Sequence, residues 1–361
     1  MPKNIVICCD GTGNEFGDRN SNVVKLFTTL VLDANTQVAY YNPGIGTMGA
    51  NNALSTIAKW WTKVLGLAFG YGVLDNVGDA YRFLMQNWET GDRLYLFGFS
   101  RGAYSVRLLA SMLHMFGLLS PHNEQLIRYI LRSLKRMDNE GEQLAAAFRK
   151  TFSMECKPHF VGVWDTVSSV GWITDPLKVR YSANNPDIHV GRHAISIDER
   201  RCFFRQNLWG RPLPDQDYKQ VWFAGVHSDV GGGYPERESG LAKITLEWMI
   251  KEAVAAQLLV NPATVDEVLG KPPSGGYVPP NASAMMHDSM NGFWPILEYL
   301  PRRHWTSTPP PPHNEWILYR KRPRRIDEDC VLHQSVLDRK NDPKTGYAPV
   351  NLPTKFHVEP W

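Results

Sequence analysis

Short apolar runs alternate along the chain with longer stretches whose apolar residues recur every three or four positions, the pattern of strands followed by amphipathic helices. Asn4 to Cys9 reads as a buried strand that opens into Asp10-Gly11-Thr12-Gly13-Asn14, and Asn22 to Leu32 as a helix. Gln37 to Tyr41 is a second strand, closed by Asn42-Pro43-Gly44-Ile45-Gly46. Leu54 to Phe69, with Trp60, Trp61, Leu65 and Leu67, reads as core or as a lid or acyl-binding helix. Val73 to Trp88 is an amphipathic helix, and Glu124 to Phe152 a charged helical hairpin inserted later. Further strands are expected at Arg93 to Phe99, His159 to Val167 and Gln220 to Val226, a helix near His193 to Arg201, and a strong amphipathic helix from Leu241 to Leu258. Lys271 to Asn281 and Thr306 to His313 read as loops.

Strands alternating with helices predict an α/β fold with a mainly parallel central sheet flanked by helices. The expected organisation is one domain over 1–361, with its core in 4–257, helical insertions, and 258–361 as an irregular carboxyl-terminal cover. Functional groups in such sheets gather past the carboxyl ends of strands. Asp10, Ser100, Asp165 and His227 all fall there.

The most informative stretch is Gly98-Phe99-Ser100-Arg101-Gly102, set between the strand from Arg93 and a helix carrying Val106, Leu108, Leu109, Met112 and Leu113. A serine on a strand-to-helix elbow needs small residues on both sides, because the turn leaves no room for their Cβ atoms. The elbow would lift the Ser100 hydroxyl toward a base and aim the first N–H groups of the helix, Arg101 among them, at the atom it attacks. The competing reading makes Ser100 a plain helix N-cap. The loop after the first strand would supply the second oxyanion donor through Gly11 or Thr12; its competing reading is an ordinary loop with Asp10 bonded to its backbone. The aspartyl-nucleophile motif of haloacid-dehalogenase-like phosphatases needs an acidic residue two places before Asp10, and Cys8 stands there, so that resemblance fails at the nucleophile.

A serine attacks only when a base takes its proton, and that base, a histidine, wants a carboxylate behind it. Ser100, Asp165 and His227 follow each other in the chain order of nucleophile, acid and base. His333 competes with His227, and Asp229 with Asp165. A divalent ion between Asp10, Asp165 and Asp229 is poorly supported, because no spaced ligand pair repeats, so no metal and no cofactor is expected.

Composition narrows the picture further. Thirty-nine Lys and Arg against 36 Asp and Glu give a net charge of +3, too small to argue for a nucleic-acid partner. The one basic run, Arg320-Lys321-Arg322-Pro323-Arg324-Arg325, reads as a solvated loop or as a contact with anionic lipid. Five cysteines without metal-like spacing suggest free thiols in a reducing compartment. The amino terminus is too short for a signal peptide and no stretch reaches the length of a spanning helix, so a cytoplasmic chain is expected, exported only by a route that needs no signal.

Gly98-Phe99-Ser100-Arg101-Gly102-Ala103, Val163-Trp164-Asp165-Thr166-Val167 and Trp222 through Tyr234, with its His227-Ser228-Asp229-Val230-Gly231-Gly232-Gly233, together resemble one family. So do Cys9 to Asn14 and Tyr40-Tyr41-Asn42-Pro43-Gly44. The family is the α/β-hydrolase group that includes the phospholipase effectors of type VI secretion, and the resemblance spans roughly residues 4 to 257. It implies an α/β-hydrolase fold and a Ser–Asp–His esterase with the triad on Ser100, Asp165 and His227. The effectors hydrolyse acyl esters of phospholipids, which makes a lipid or phospholipid ester the expected substrate and peripheral membrane contact the expected association. The chain ends soon after the core, without the long region the effectors carry, so ester chemistry transfers more directly than phospholipid or secretion route. Hydrolysis of small soluble esters, amides or thioesters, acyl transfer to an alcohol, and ligand binding on an inert hydrolase scaffold are the other readings.

Overall fold

A computed structural model describes residues 2–11, 17–44, 71–134, 139–167, 171–172, 175–176, 179–273, 275–292, 294–299, 302–306 and 313–361. Its centre is an eight-stranded sheet: β1 (Asn4–Cys9), β2 (Gln37–Asn42), β3 (Arg93–Phe99), β4 (Pro158–Trp164), β5 (Val190–Ser196), β6 (Asp217–Phe223), β7 (Cys330–His333) and β8 (Phe356–Glu359). The strands lie side by side in the order 2-1-3-4-5-6-7-8, and every neighbouring pair is parallel. From β1 the chain goes out to β2 on one side and to β3 on the other. That reversal opens a crevice past the carboxyl ends of β1 and β3, where doubly wound sheets bind their ligands.

In its middle both faces of the sheet are covered, which is why β1, β3 and β4 are apolar at most positions. Ile5, Ile7, Leu94, Leu96, Val161 and Val163 point to one side. They pack there against α2 (Tyr71–Asn87) and α3 (Arg101–Phe116). Val6, Cys8, Tyr95, Phe97, Phe160 and Trp164 point to the other, against α1 (Asn22–Thr29) and the later helix Gly240–Ala255. The period of two along β1 and β3 therefore divides the core into two layers around the sheet. The inserted hairpin is present as α4 (Ile127–Ser133) and α5 (Asn139–Phe152).

Two stretches differ from the sequence expectation. Val190–Ser196, which overlaps the start of the helix expected near His193 to Arg201, is instead a fully buried central strand. In the sheet, Arg192 bonds Glu252 and Asp217, and the His193 Nε2 accepts from the Thr166 N–H at 3.2 Å. The carboxyl-terminal stretch is irregular over most of its length but also adds β7 and β8 to the sheet. The segment from Leu54 to Phe69 lies outside the described residues. Among the described residues, no helix is long and apolar enough to cross a membrane.

Candidate active site

β3 ends at Phe99 and α3 begins at Arg101, so Ser100 alone makes the turn between them. Its φ of 59° and ψ of −118° are a costly conformation for a residue with a Cβ. The packing that enforces it is visible at the flanking glycines. A Cβ on Gly98 would come within 2.5 Å of the Gly102 carbonyl oxygen, and one on Gly102 within 2.1 Å of the Cys9 carbonyl oxygen. Helix α3 thus presses directly on β1 and β3, which only glycine at both positions allows. The Ser100 side chain makes no capping bond to α3, so the reading of this serine as an N-cap does not hold. Arg101 opens the helix, and its backbone N–H stands at the positive end of the helix dipole.

One strand along, β4 delivers Asp165 with a φ of 39° and a fully buried side chain. His227 comes from the far side of β5, as the first residue of a short helix after β6. The two meet across the end of β5: His227 Nδ1 lies 2.5 Å from Asp165 Oδ2, while the Ser196 N–H donates to Oδ1 at 2.9 Å. A third residue joins them that the sequence reading did not single out. Arg324 donates from Nη1 to Asp165 Oδ1 at 2.5 Å and from Nη2 to Oδ2 at 3.0 Å, a bidentate fork. Its Nη1 also reaches the Ser196 carbonyl and hydroxyl, and its Nη2 the Phe204 carbonyl. The basic run was expected to be a solvated loop. For Arg320, Lys321, Arg322 and Arg325 it is exposed, but Arg324 is sealed inside on the acid.

The electrostatics follow from these partners. Burial alone would raise the Asp165 carboxyl, but the Arg324 guanidinium and the His227 bond hold it well below the usual carboxylate range. Burial lowers the His227 imidazole, against the pull of Asp165 in the other direction. The ring is held by Phe99, with centroids 4.6 Å apart, and by the edge-on ring of Phe204 at 4.8 Å. Buried Glu199 accepts the His227 N–H at 3.2 Å and is itself forked by Arg201, which lies 3.7 Å above the Phe204 ring. The outcome is an imidazole whose neutral form is favoured, packed against two aromatic rings, beside an acid whose ionised form is favoured.

The competing residues go elsewhere. Asp229 Oδ1 lies 2.6 Å from His287 Nδ1, and its other oxygen accepts the His287 and Val226 N–H groups. His333 caps the helix Gln334–Asn341, with its Nδ1 bonded to Ser335, and burial lowers it to about 4. Asp10 accepts from the Ser21 hydroxyl at 2.5 Å, the Tyr41 hydroxyl at 2.9 Å and the Gly11 N–H at 2.6 Å. The Gly11 N–H is thereby turned toward Asp10, which matches the alternative reading of that loop rather than the oxyanion role. Thr12 lies outside the described residues. Asp10, Asp165 and Asp229 each have different partners, an arrangement unlike a shared ligand set.

The turn that carries His227 is tied down by a carboxyl with the opposite shift. Asp198 accepts the Gly225 N–H at 2.7 Å and the Tyr347 hydroxyl at 2.9 Å, and burial pushes it up to about 6. A carboxyl raised in the folded state stabilises fully below its unfolded value and loses that contribution as pH rises through about 6. Asp198→Asn keeps a neutral acceptor at every pH. Its stability relative to the wild type is expected to improve by on the order of 2 kcal/mol between pH 4 and pH 8. Urea denaturation at the two pH values checks this; a constant difference would contradict it.

Residues 3–252 match the family described as T6SS, phospholipase effector Tle1-like, catalytic domain. The uncharacterized protein YEL023C of Saccharomyces cerevisiae is 38% identical over 229 residues, which cover 59% of this chain and 33% of that protein. The chain thus spans about a third of the length of that curated relative. A crystal structure of an uncharacterized protein from Pseudomonas aeruginosa aligns over 73% of this chain and 47% of its own, at 19% identity and a TM-score of 0.41. The structure of the Tle1 effector bound to the VgrG spike of the type 6 secretion system aligns over 67% of this chain and 53% of its own, at 18% identity and a TM-score of 0.38.

Proposed function

Since the chain belongs to the family of Tle1-like phospholipase effector catalytic domains, we propose that it is a serine hydrolase of acyl esters in lipids, with phospholipids as the first substrate class. The observation that carries this reading is the buried pair of Asp165 and His227 at the same carboxyl end of the sheet as the strained Ser100 elbow. His227 Nε2 takes the Ser100 hydroxyl proton as Oγ attacks the ester carbonyl carbon. Asp165, bonded to Nδ1, fixes the tautomer that leaves Nε2 as the acceptor and stabilises the imidazolium. The oxyanion is held by the Arg101 N–H and by the loop after β1, where Thr12 takes the part that Gly11 gives to Asp10. The tetrahedral intermediate collapses, the alcohol leaves with the proton from His227, and an acyl-Ser100 ester remains. Water, deprotonated by the same imidazole, then attacks that ester; the fatty acid leaves and Oγ recovers its proton.

A fluorophosphonate probe followed by peptide mapping tests the nucleophile, and fatty-acid release from phosphatidylcholine and phosphatidylglycerol against a series of p-nitrophenyl esters tests the substrate. The adduct is expected on the peptide holding Ser100, with phospholipid and long acyl chains turned over faster than acetate. A folded protein that takes no label, or takes it elsewhere, overturns the mechanism. Preference for short soluble esters overturns the lipid assignment alone.

A further inference from the structure

Arg324 is the inner end of a turn whose outer side faces water. Arg320, Lys321 and Arg322 are exposed, and no carboxylate among the described residues pairs with them, whereas Arg325 pairs with Asp327. The turn is firmly seated. The Lys321 N–H donates to the fully buried Glu298 at 3.1 Å, the Arg320 N–H to the Glu298 carbonyl at 3.3 Å, and Arg205 holds the Arg322 and Pro323 carbonyls. Arg320 and Lys321 have φ of 48° and 61°. Glycine holds that conformation at no steric cost, yet two long cations stand there.

Beside the turn, on the segment that carries Glu298, Ile296 and Tyr299 are 65% and 61% exposed. Trp294, at the start of the same segment, packs on Phe204, and Phe204 on His227, with centroids 5.5 and 4.8 Å apart. Three cations with no carboxylate partner among the described residues, and two exposed apolar side chains, therefore share one end of the sheet with His227 and Asp165. A soluble polyanion would be served by the cations but not by Ile296 and Tyr299; a bilayer uses both.

We propose that this turn, with Ile296 and Tyr299, docks the protein on anionic phospholipid bilayers. Arg320, Lys321 and Arg322 lie over headgroup phosphates, and the two apolar side chains enter the boundary between headgroup and acyl chain. The proposal deepens the lipid-hydrolase reading and rests on it for its purpose, though its test does not depend on turnover.

Sedimentation with sucrose-loaded vesicles measures partition, using Ser100→Ala protein so that lipid is not consumed. Vesicles of phosphatidylcholine with one-third phosphatidylglycerol are expected to bind far better than phosphatidylcholine alone, and less so as salt rises. Each cation near an anionic surface contributes roughly fivefold, so Arg320→Gln, Lys321→Gln and Arg322→Gln together should lower the partition roughly a hundredfold. Ile296→Ser with Tyr299→Ser should weaken it on both compositions. Arg320→Gly with Lys321→Gly, which relieves the backbone, should lower partition without lowering the melting temperature and, in the Ser100 protein, without slowing hydrolysis of a soluble short ester. Equal partition to the two compositions, or an unchanged value in the triple variant, overturns the proposal. Loss with the cations but indifference to Ile296 and Tyr299 also overturns it, in favour of a soluble polyanion. A catalytically silent wild type that still partitions would fault the hydrolase reading and leave the docking surface standing.

Discussion

Ser100→Ala is expected to lower kcat for ester hydrolysis by about a millionfold, and His227→Ala by the same order, with KM little changed. Alanine at position 100 keeps the Cβ and the strained φ of 59°, loses only the hydroxyl, and leaves no capping bond broken, since none exists. The melting temperature should stay within about 2 °C of the wild type, so lost rate reports chemistry. Because the serine and its base act as one unit, the double replacement should be scarcely worse than either single one. What remains is the contribution of binding and of the oxyanion donors, roughly 10³-fold over water. Asp165→Asn should cost less, about 10⁴-fold, because it leaves both reacting groups in place but favours the wrong imidazole tautomer. Initial rates on a p-nitrophenyl ester settle the ranking. Retention of more than a hundredth of the activity in Ser100→Ala would remove this serine from the mechanism.

Much of this site is legible in the chain because its requirements are local. Gly98 and Gly102 can be read as compulsory from their place around Ser100, and the close approaches to Gly102 and Cys9 bear that out. The apolar runs of β1, β3, β4 and β6 declare themselves because both faces of the sheet are covered. What the chain hides is polar and long-range. Arg324 sits in a basic run that looks solvated, and its partner Asp165 is 159 positions away. The strand β5 carries Arg192 and His193, whose partners lie on neighbouring elements, so its pattern imitates a helix. Choosing between Asp165 and Asp229 is likewise a matter of tertiary pairing: both are buried, and they differ in that Asp165 meets His227 while Asp229 pairs with His287. Gly11 shows the limit from the other side, since a loop position suited to oxyanion donation turns its N–H to the adjacent carboxylate.

Arg324→Met is expected to destabilise the fold by about 3–5 kcal/mol, because it removes the cation from a buried carboxylate and leaves the remaining partners to compensate a full charge. Around that pair stand His227, which faces Asp165, Glu199 and Arg201 as well as Arg324 at one remove. With Arg324 present, part of the Asp165 charge is spent on the guanidinium, and burial keeps His227 below its ordinary value. Without it, the whole carboxylate charge acts on the imidazole and favours its protonated form. The acid limb of kcat/KM, which reports the neutral base, must then move to higher pH. Acid stability should weaken as well. A carboxyl depressed in the folded state contributes its full stability above the unfolded value near 4 and loses it as pH falls through the folded value, and that folded value rises when Arg324 goes. The decisive variant is the double one, Arg324→Met with Asp165→Asn, in which neither charge is left unpaired. Its stability should return most of the way to the wild type while its kcat stays as low as in Asp165→Asn alone. Arg324→Lys, which keeps the charge but not the fork, should hold the pH profile nearer the wild type than Met does. If Arg324→Met melts like the wild type and its acid limb does not move, the guanidinium fills space beside the triad and positions nothing.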